Sequence, residues 1–278
     1  MKPTPYYDQD GITIYHGESI ATMEAMPDHS IDMVMTDPPY GTTACKWDTV
    51  IPFGPMWAEL KRIVKPNGAI VMTASQPFTS VLACSNLHDF RYCWVWDKCI
   101  ASGFNYARFQ PMRQHEDILV FYKDAPFYDS EGDEYHTPIE YKMTCSPSES
   151  SHMTHSRDDI MQATHQRKRS IIKEMKIRNG HHPTQKPVNL MAFLIKTYTK
   201  PGELVLDFTM GSGTTLVAAK HSGRRCIGIE MDEGFCKIAV DRLGQQSLFQ
   251  TEEPSGPAGL DAPGNDLISF LEPESIDR

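Results

Sequence analysis

One passage, residues 204–230, restricts the fold more than any other part of the chain. Leu204-Val205-Leu206-Asp207 reads as a short buried strand and Gly211-Ser212-Gly213 as a tight turn. Residues 214–221 read as a helix, and residues 225–230 as a second strand ending in Glu230. A strand, a glycine turn and a helix, followed at once by another strand, form the unit from which parallel sheets are wound. Glycines permit positive φ and close backbone approach, and the helix start leaves N–H donors for a polar ligand. A carboxylate ending the second strand suits the two hydroxyls of a ribose. The turn holds no lysine and follows Asp207 directly, so it disfavours phosphate and tolerates a cationic ligand better. The same residues also fit a plain strand-to-helix turn capped by a serine or threonine.

The rest of the chain repeats the alternation. Residues 11–15 form a strand ending at His16-Gly17-Glu18, residues 19–26 a short helix, and residues 31–36 a strand that delivers Asp37 at its carboxyl end. Apolar residues at Phe53, Met56, Trp57, Leu60, Ile63 and Val64 predict a helix over 53–64, stopped by Lys65-Pro66-Asn67-Gly68. Strands follow at 69–72, 92–96 and 118–122, and helices at 78–87, 189–198 and 235–243. This pattern predicts an α/β fold, a Rossmann-like and mostly parallel sheet with helices on both faces. Residues 123–181 lose apolar periodicity and read as an irregular insertion. Beyond residue 250 the chain is acidic and rich in Pro and Gly, and reads as unstructured.

A chain of 278 residues suits one large domain carrying an insertion. It has no apolar run approaching the length of a membrane span and no secretory signal at its start, so a cytoplasmic protein is expected. Its seven cysteines include no CxxC pair and read as reduced thiols. His152 and His155 lie near Cys145 without a second ligand pair, so no metal is expected. The net charge of −9 is unevenly spread. Residues 251–278 hold seven acidic residues against Arg278, whereas residues 157–186 hold eight Lys or Arg against three acids. Arg167-Lys168-Arg169 is the densest point of a local basic patch of the kind that meets phosphates, although a short charge run is also what a solvated face looks like.

Thr36-Asp37-Pro38-Pro39-Tyr40 has a chemistry of its own. Two prolines fix φ and withhold two N–H donors, so the loop offers carbonyl oxygens with little freedom to collapse. Asp37 and such a carbonyl are two acceptors for the two hydrogens of one exocyclic NH₂, and Tyr40 gives a flat face for a ring. A proline turn that merely carries an aromatic fits the same letters.

Together these residues resemble the S-adenosylmethionine-dependent DNA amino-methyltransferases. Asp37-Pro38-Pro39-Tyr40 matches their catalytic motif. Asp207 with Gly211-Ser212-Gly213-Thr214-Thr215 is similar to their cofactor loop, usually D-P-F-x-G-S-G-T-T, with Phe208 and Thr209 here replacing Pro and Phe. His182-Pro-Thr-Gln-Lys186-Pro187 matches the segment before the cofactor strand in the circularly permuted members. Gly68 through Phe78, Trp96-Asp97-Lys98 and Arg113-Gln-His115-Glu116 are similar to prophage-type adenine methyltransferases.

The resemblance implies a permuted fold: a catalytic half over 11–122, a target-recognition insertion over 123–181, a cofactor half over 182–250 and a flexible acidic tail over 251–278. The strands bearing Asp37 and Asp207 are expected to be neighbours. It implies S-adenosylmethionine as cofactor, held by Glu18, Lys186, Asp207, Thr209, Gly211, Ser212, Gly213, Thr214 and Glu230. Catalysis falls to Asp37, Pro38, Pro39 and Tyr40, acting on the N6 amino group of an adenine turned out of double-stranded DNA. DNA contacts are expected from Lys46, Arg113, Arg167, Lys168 and Arg169, with Trp47 near the flipped base or in the core. A homodimer and a separate restriction endonuclease are further candidate partners. N4-cytosine methylation poses the same chemical problem, though Ser is more usual there at the position of Asp37. A methyltransferase acting on RNA or protein and a non-catalytic DNA-binding module are the other readings.

Overall fold

A computed structural model describes residues 3–43, 45, 48–142, 160–177 and 185–245, with 132–142 and 160–166 described as backbone alone. Its strands and helices are β1 (Tyr7–Gln9), β2 (Ile12–His16), α1 (Ser19–Glu24), β3 (Ile31–Thr36), α2 (Phe53–Ile63), β4 (Val64–Ala74), α3 (Phe78–Ser85), β5 (Phe90–Ser102) and β6 (Arg113–Phe121). They continue with β7 (Glu131–Lys142), β8 (Ile160–Arg167), β9 (Ile171–Lys173), α4 (Val188–Tyr198), β10 (Leu204–Asp207), α5 (Thr214–His221), β11 (Arg225–Glu230) and α6 (Glu233–Gln245).

Nine strands make one sheet in the order β1-β2-β11-β10-β3-β4-β6-β5-β9, and β7 pairs with β8 apart from it. Strands β2, β11, β10, β3 and β4 run parallel, while β6 lies antiparallel between β4 and β5. Strand order reverses between β10 and β3, which pair through Val205 with Met33 and Leu206 with Val34. Ligands of open α/β sheets sit outside the carboxyl ends of strands at such a reversal. The Asp37-Pro38-Pro39-Tyr40 and glycine-turn motifs leave these two strands side by side, as expected.

Both faces of the sheet are covered, which is why its strands are nearly uniformly apolar. Met33, Met35, Val71 and Val205 pack with α4, α5 and α6 on one face. Val34, Met72, Leu119 and Leu206 pack with α1, α2 and α3 on the other. Helix α2 shows the logic locally. Met56, Trp57, Leu60 and Ile63 form one buried stripe, each stabilising by roughly 1.5–3 kcal/mol when removed from water. Arg62 in its last turn donates to the carbonyls of Met23 and Met26 and so anchors the end of α1.

Three expectations change. Lys65-Pro66-Asn67-Gly68 ends α2 but already belongs to β4. Strand β5 runs to Ser102, well past residue 96. The 123–181 segment contains β7, β8 and β9, and β9 extends the main sheet beside β5. A three-residue strand docked on a sheet edge is held by main-chain bonds, such as Val95 N–H to the Ser170 carbonyl at 2.8 Å. Those bonds need no apolar alternation, so the sequence carried no sign of them. Among the described residues no helix is long and apolar enough to cross a membrane. His152, His155 and Cys145 lie outside the described residues.

Candidate active site

A cavity of about 730 Å³ opens at the strand reversal and is lined by both motifs, from Asp37 through Tyr40 and from Asp207 through Ser212, with Thr214 and Glu230. That size lies within the roughly 300–1,000 Å³ of small-molecule sites.

Threonine hydroxyls stitch the two motifs together at its floor. Thr36 Oγ1 donates to Asp207 Oδ1 at 2.7 Å. Thr209 Oγ1 sits 2.6 Å from the Thr36 hydroxyl and 3.2 Å from the Asp37 carbonyl. Thr209, a departure from the usual loop, therefore links the halves of the site, and Phe208 is wholly buried in the core. Asp207 also accepts from the Thr209 N–H at 3.1 Å. Burial pushes its carboxyl up to about 6 against these bonds. Asp207 thus shapes the turn from beneath.

The turn itself depends on glycine. Gly213 has φ +78°, and a Cβ there would lie 2.7 Å from the Cβ of Ala239 on α6. Buried Arg242 reaches across from α6 and donates to the Ser212 carbonyl at 2.5 Å, Ser212 Oγ at 3.1 Å and Thr214 Oγ1 at 3.2 Å. Arg242 had no sequence motif to reveal it. Glu230 accepts from Gly211 N–H through Oε2 and from Asp232 N–H through Oε1, both at 2.9 Å. Burial raises its carboxyl above the usual range. A carboxylate has about four acceptor positions, so Glu230 keeps acceptor capacity toward the cavity, which is what a ribose hydroxyl requires. Glu18 lines the cavity while capping α1 through Ala21 N–H at 2.7 Å.

Asp37 is held from three directions. Tyr40 Oη donates to Oδ1 at 2.7 Å, the Thr73 hydroxyl donates to the same oxygen, and Lys186 Nζ donates to Oδ2 at 2.8 Å. A carboxylate has about four acceptor positions, so one remains, on Oδ2. Lys186, assigned from sequence to the cofactor, lines the cavity and is the ion-pair partner of Asp37. Its ammonium also lies 3.3 Å from Glu116 Oε2, close enough for an ion pair but off the hydrogen-bonding direction. Buried Lys98 lies 3.3 Å from Glu116 Oε1, so charges alternate behind Asp37. Burial pulls the Lys186 pKa down, but Asp37 and Glu116 outweigh it and the net shift is upward. Thr73, Glu116 and Lys98 lie in segments that carry the resemblance but were given no site role from sequence, because only the β4–β6–β5 pairing brings them here.

Tyr40 stacks on Phe78 with centroids 5.2 Å apart. Its hydroxyl is pushed well above the ordinary range by burial, then by Asp37 and Glu116. The loop after Tyr40 is organised by Asp48, which accepts from the N–H groups of Gly41, Thr42 and Thr43 at 2.7–2.9 Å. Burial raises that carboxyl, but these bonds and the Thr43 hydroxyl outweigh it and hold it below the usual range.

The basic residues do not converge. Arg113 is exposed on the cavity side of the sheet, at the start of β6. Arg167, which ends β8, and Arg169, just before β9, are exposed, and β9 itself is four strands from β3, about 19 Å away laterally. Lys168 is drawn inward, with its side chain 6% exposed and 2.8 Å from Asp129 Oδ2. It is not available to phosphate, which corrects the expectation for that residue. Lys46 and Trp47 lie outside the described residues.

A family described as DNA methylase matches residues 31–241 of this chain. The chain belongs to that DNA methylase family. It is 30% identical over 271 residues to the DNA adenine methyltransferase YhdJ of Escherichia coli strain K12, covering 89% of this chain and 87% of that protein. The type II methyltransferase M2.DpnII of Streptococcus pneumoniae is 28% identical, covering 86% and 92%. Among solved structures, the cytosine-N4-specific PvuII DNA methyltransferase aligns with TM-score 0.61 at 17% identity, covering 86% of this chain and 89% of that one. The M1.HpyAVI–SAM complex aligns with TM-score 0.57 at 23% identity, covering 83% and 99%. At these identities the structural likenesses show a shared fold.

Proposed function

We propose that this protein transfers a methyl group from S-adenosylmethionine to the N6 amino group of an adenine in double-stranded DNA. The observation that carries this reading is Asp37, a carboxylate fixed by three donors with one acceptor position left, at the mouth of a cavity that also contains the glycine turn. YhdJ, the 30% identical relative, bears the name of a DNA adenine methyltransferase.

The lining fits the cofactor. Glu230 keeps acceptor capacity for a ribose hydroxyl, and the glycine turn admits close approach. Asp37, Asp207 and Glu230 make the cavity acidic, which suits a sulfonium and repels phosphate. S-adenosylmethionine supplies an electrophilic methyl group on that sulfonium when bound. The protein's part is positioning and electrostatics. An adenine amino nitrogen is a poor nucleophile while its lone pair is delocalised into the ring. The open position on Asp37 Oδ2 and the Pro38 carbonyl accept its two hydrogens and favour a tetrahedral nitrogen. Tyr40, backed by Phe78, gives the aromatic wall for the base, which must leave the duplex to reach it. Lys186 supplies the counter-charge that holds Oδ2 in place. In this reading the 123–181 segment belongs to target recognition.

The test is Asp37→Ala. Incorporation of labelled methyl groups into DNA should fall at least about 10³-fold, with cofactor affinity by calorimetry changed only a few-fold. Activity near wild type would remove Asp37 from the mechanism. Digesting the methylated DNA to nucleosides identifies the product, and N4-methylcytosine would replace adenine as the target.

A further inference from the structure

The ribbon formed by β5 and β6 does not end at the cavity. Trp96 and Glu116, paired across it, both line the pocket. The chain continues to Ser102 and returns at Arg113. Between them, Phe104, Tyr106 and Phe109 are 80%, 62% and 87% exposed. Single exposed apolar residues are ordinary, but three large rings on one short projection beside a pocket mark a binding surface. The same stretch is free of acids from Cys99 through His115, in a chain of net charge −9, and carries exposed Arg108 and Arg113. Rings interleaved with arginines complement a polyanion that offers stackable bases, and an uncharged apolar partner would give the arginines nothing to bind.

We propose that this projection enters duplex DNA beside the target base. Its rings occupy the stack where the base turns out, and Arg108 and Arg113 hold flanking phosphates. The proposal rests on the base-methylating reading of the site and names the element that opens the duplex for it. Extruding a base costs a few kcal/mol. Apolar side chains inserted at a base step offset that cost, and ring–base stacking contributes about 1–3 kcal/mol per base. The position of the ribbon, rising from the cavity wall, brings the rings to the strand from which the base departs.

Two multiple variants separate the roles: Phe104→Ser/Tyr106→Ser/Phe109→Ser, and Arg108→Gln/Arg113→Gln. All five residues are exposed, so both variants should fold, and cofactor affinity by calorimetry should stay within about twofold of wild type. The ring variant should lose at least tenfold in affinity for duplex plasmid fragments and tenfold in methyl incorporation, with the salt slope of binding unchanged. The arginine variant should lower that slope by about 2. Wild-type duplex affinity and methylation in the ring variant would overturn the proposal. So would a wild-type dimer that becomes monomeric in the ring variant without loss of DNA affinity, since the patch would then be a self-interface. If wild type methylates no DNA, the reading of the site fails, while the two variants still report whether the projection binds duplex.

Discussion

Replacing Lys186 with methionine tests the charge arrangement behind Asp37. The ammonium lies 2.8 Å from Asp37 Oδ2 and 3.3 Å from Glu116 Oε2, and its side chain is 6% exposed. At an effective dielectric of about 20 these contacts represent gross attractions of about 6 and 5 kcal/mol. Taking three charges out of water consumes much of that. Removing one partner of a buried pair costs about 3–5 kcal/mol, because the charge left behind is uncompensated. Here two carboxylates are left facing the gap, so Lys186→Met should lose stability of that order. Adding Glu116→Gln removes one of them and should recover a large part, limited by Lys98, which then faces an amide. Urea unfolding of wild type, both single variants and the double variant gives the coupling, expected to be at least about 1 kcal/mol. Additivity within about 0.5 kcal/mol would refute the charge arrangement. Methyl transfer should fall in Lys186→Met and stay low in the double variant, because Oδ2 still lacks its donor. The upward shift of the Lys186 pKa sets the pH window. This stabilisation is complete at neutral pH and is lost only as pH rises beyond the ordinary lysine range.

Two further predictions concern the cofactor side. The Asp207 carboxyl is raised to about 6 by burial, so the folded state binds its proton more tightly than the unfolded chain does. The ligand-free protein should therefore gain from this group up to about 3 kcal/mol as pH falls from 7 through 6 toward 4. Asp207→Asn should flatten that trend in unfolding free energies, and an equal slope in variant and wild type would exclude Asp207 as its source. Arg242→Gln should release the glycine turn and weaken S-adenosylmethionine binding at least tenfold by calorimetry. Unchanged affinity would mean that the turn holds its shape without the arginine.

Much of the site was readable before the fold was known, for a physical reason. The glycine turn and Asp37-Pro38-Pro39-Tyr40 are constrained through their own backbones, by positive φ at Gly213 and by fixed φ and missing donors at the prolines. Such constraints are written in consecutive residues. The helices were legible where one face is buried, as in α2. Strand β9 was not, because it is held by main-chain bonds to β5 that leave no apolar pattern.

The sequence alone therefore determined the layered α/β architecture, the two motifs and the acceptor chemistry of Asp37. The tertiary structure decided what surrounds that acid. Lys186 comes from the segment before α4, Thr73 from β4, Glu116 from β6 and Lys98 from β5, and nothing local relates them. Long-range packing brings Thr73 and Lys186 to that carboxylate and sets Glu116 and Lys98 behind Lys186. It also makes the lysine of the segment before α4 the counter-charge of Asp37.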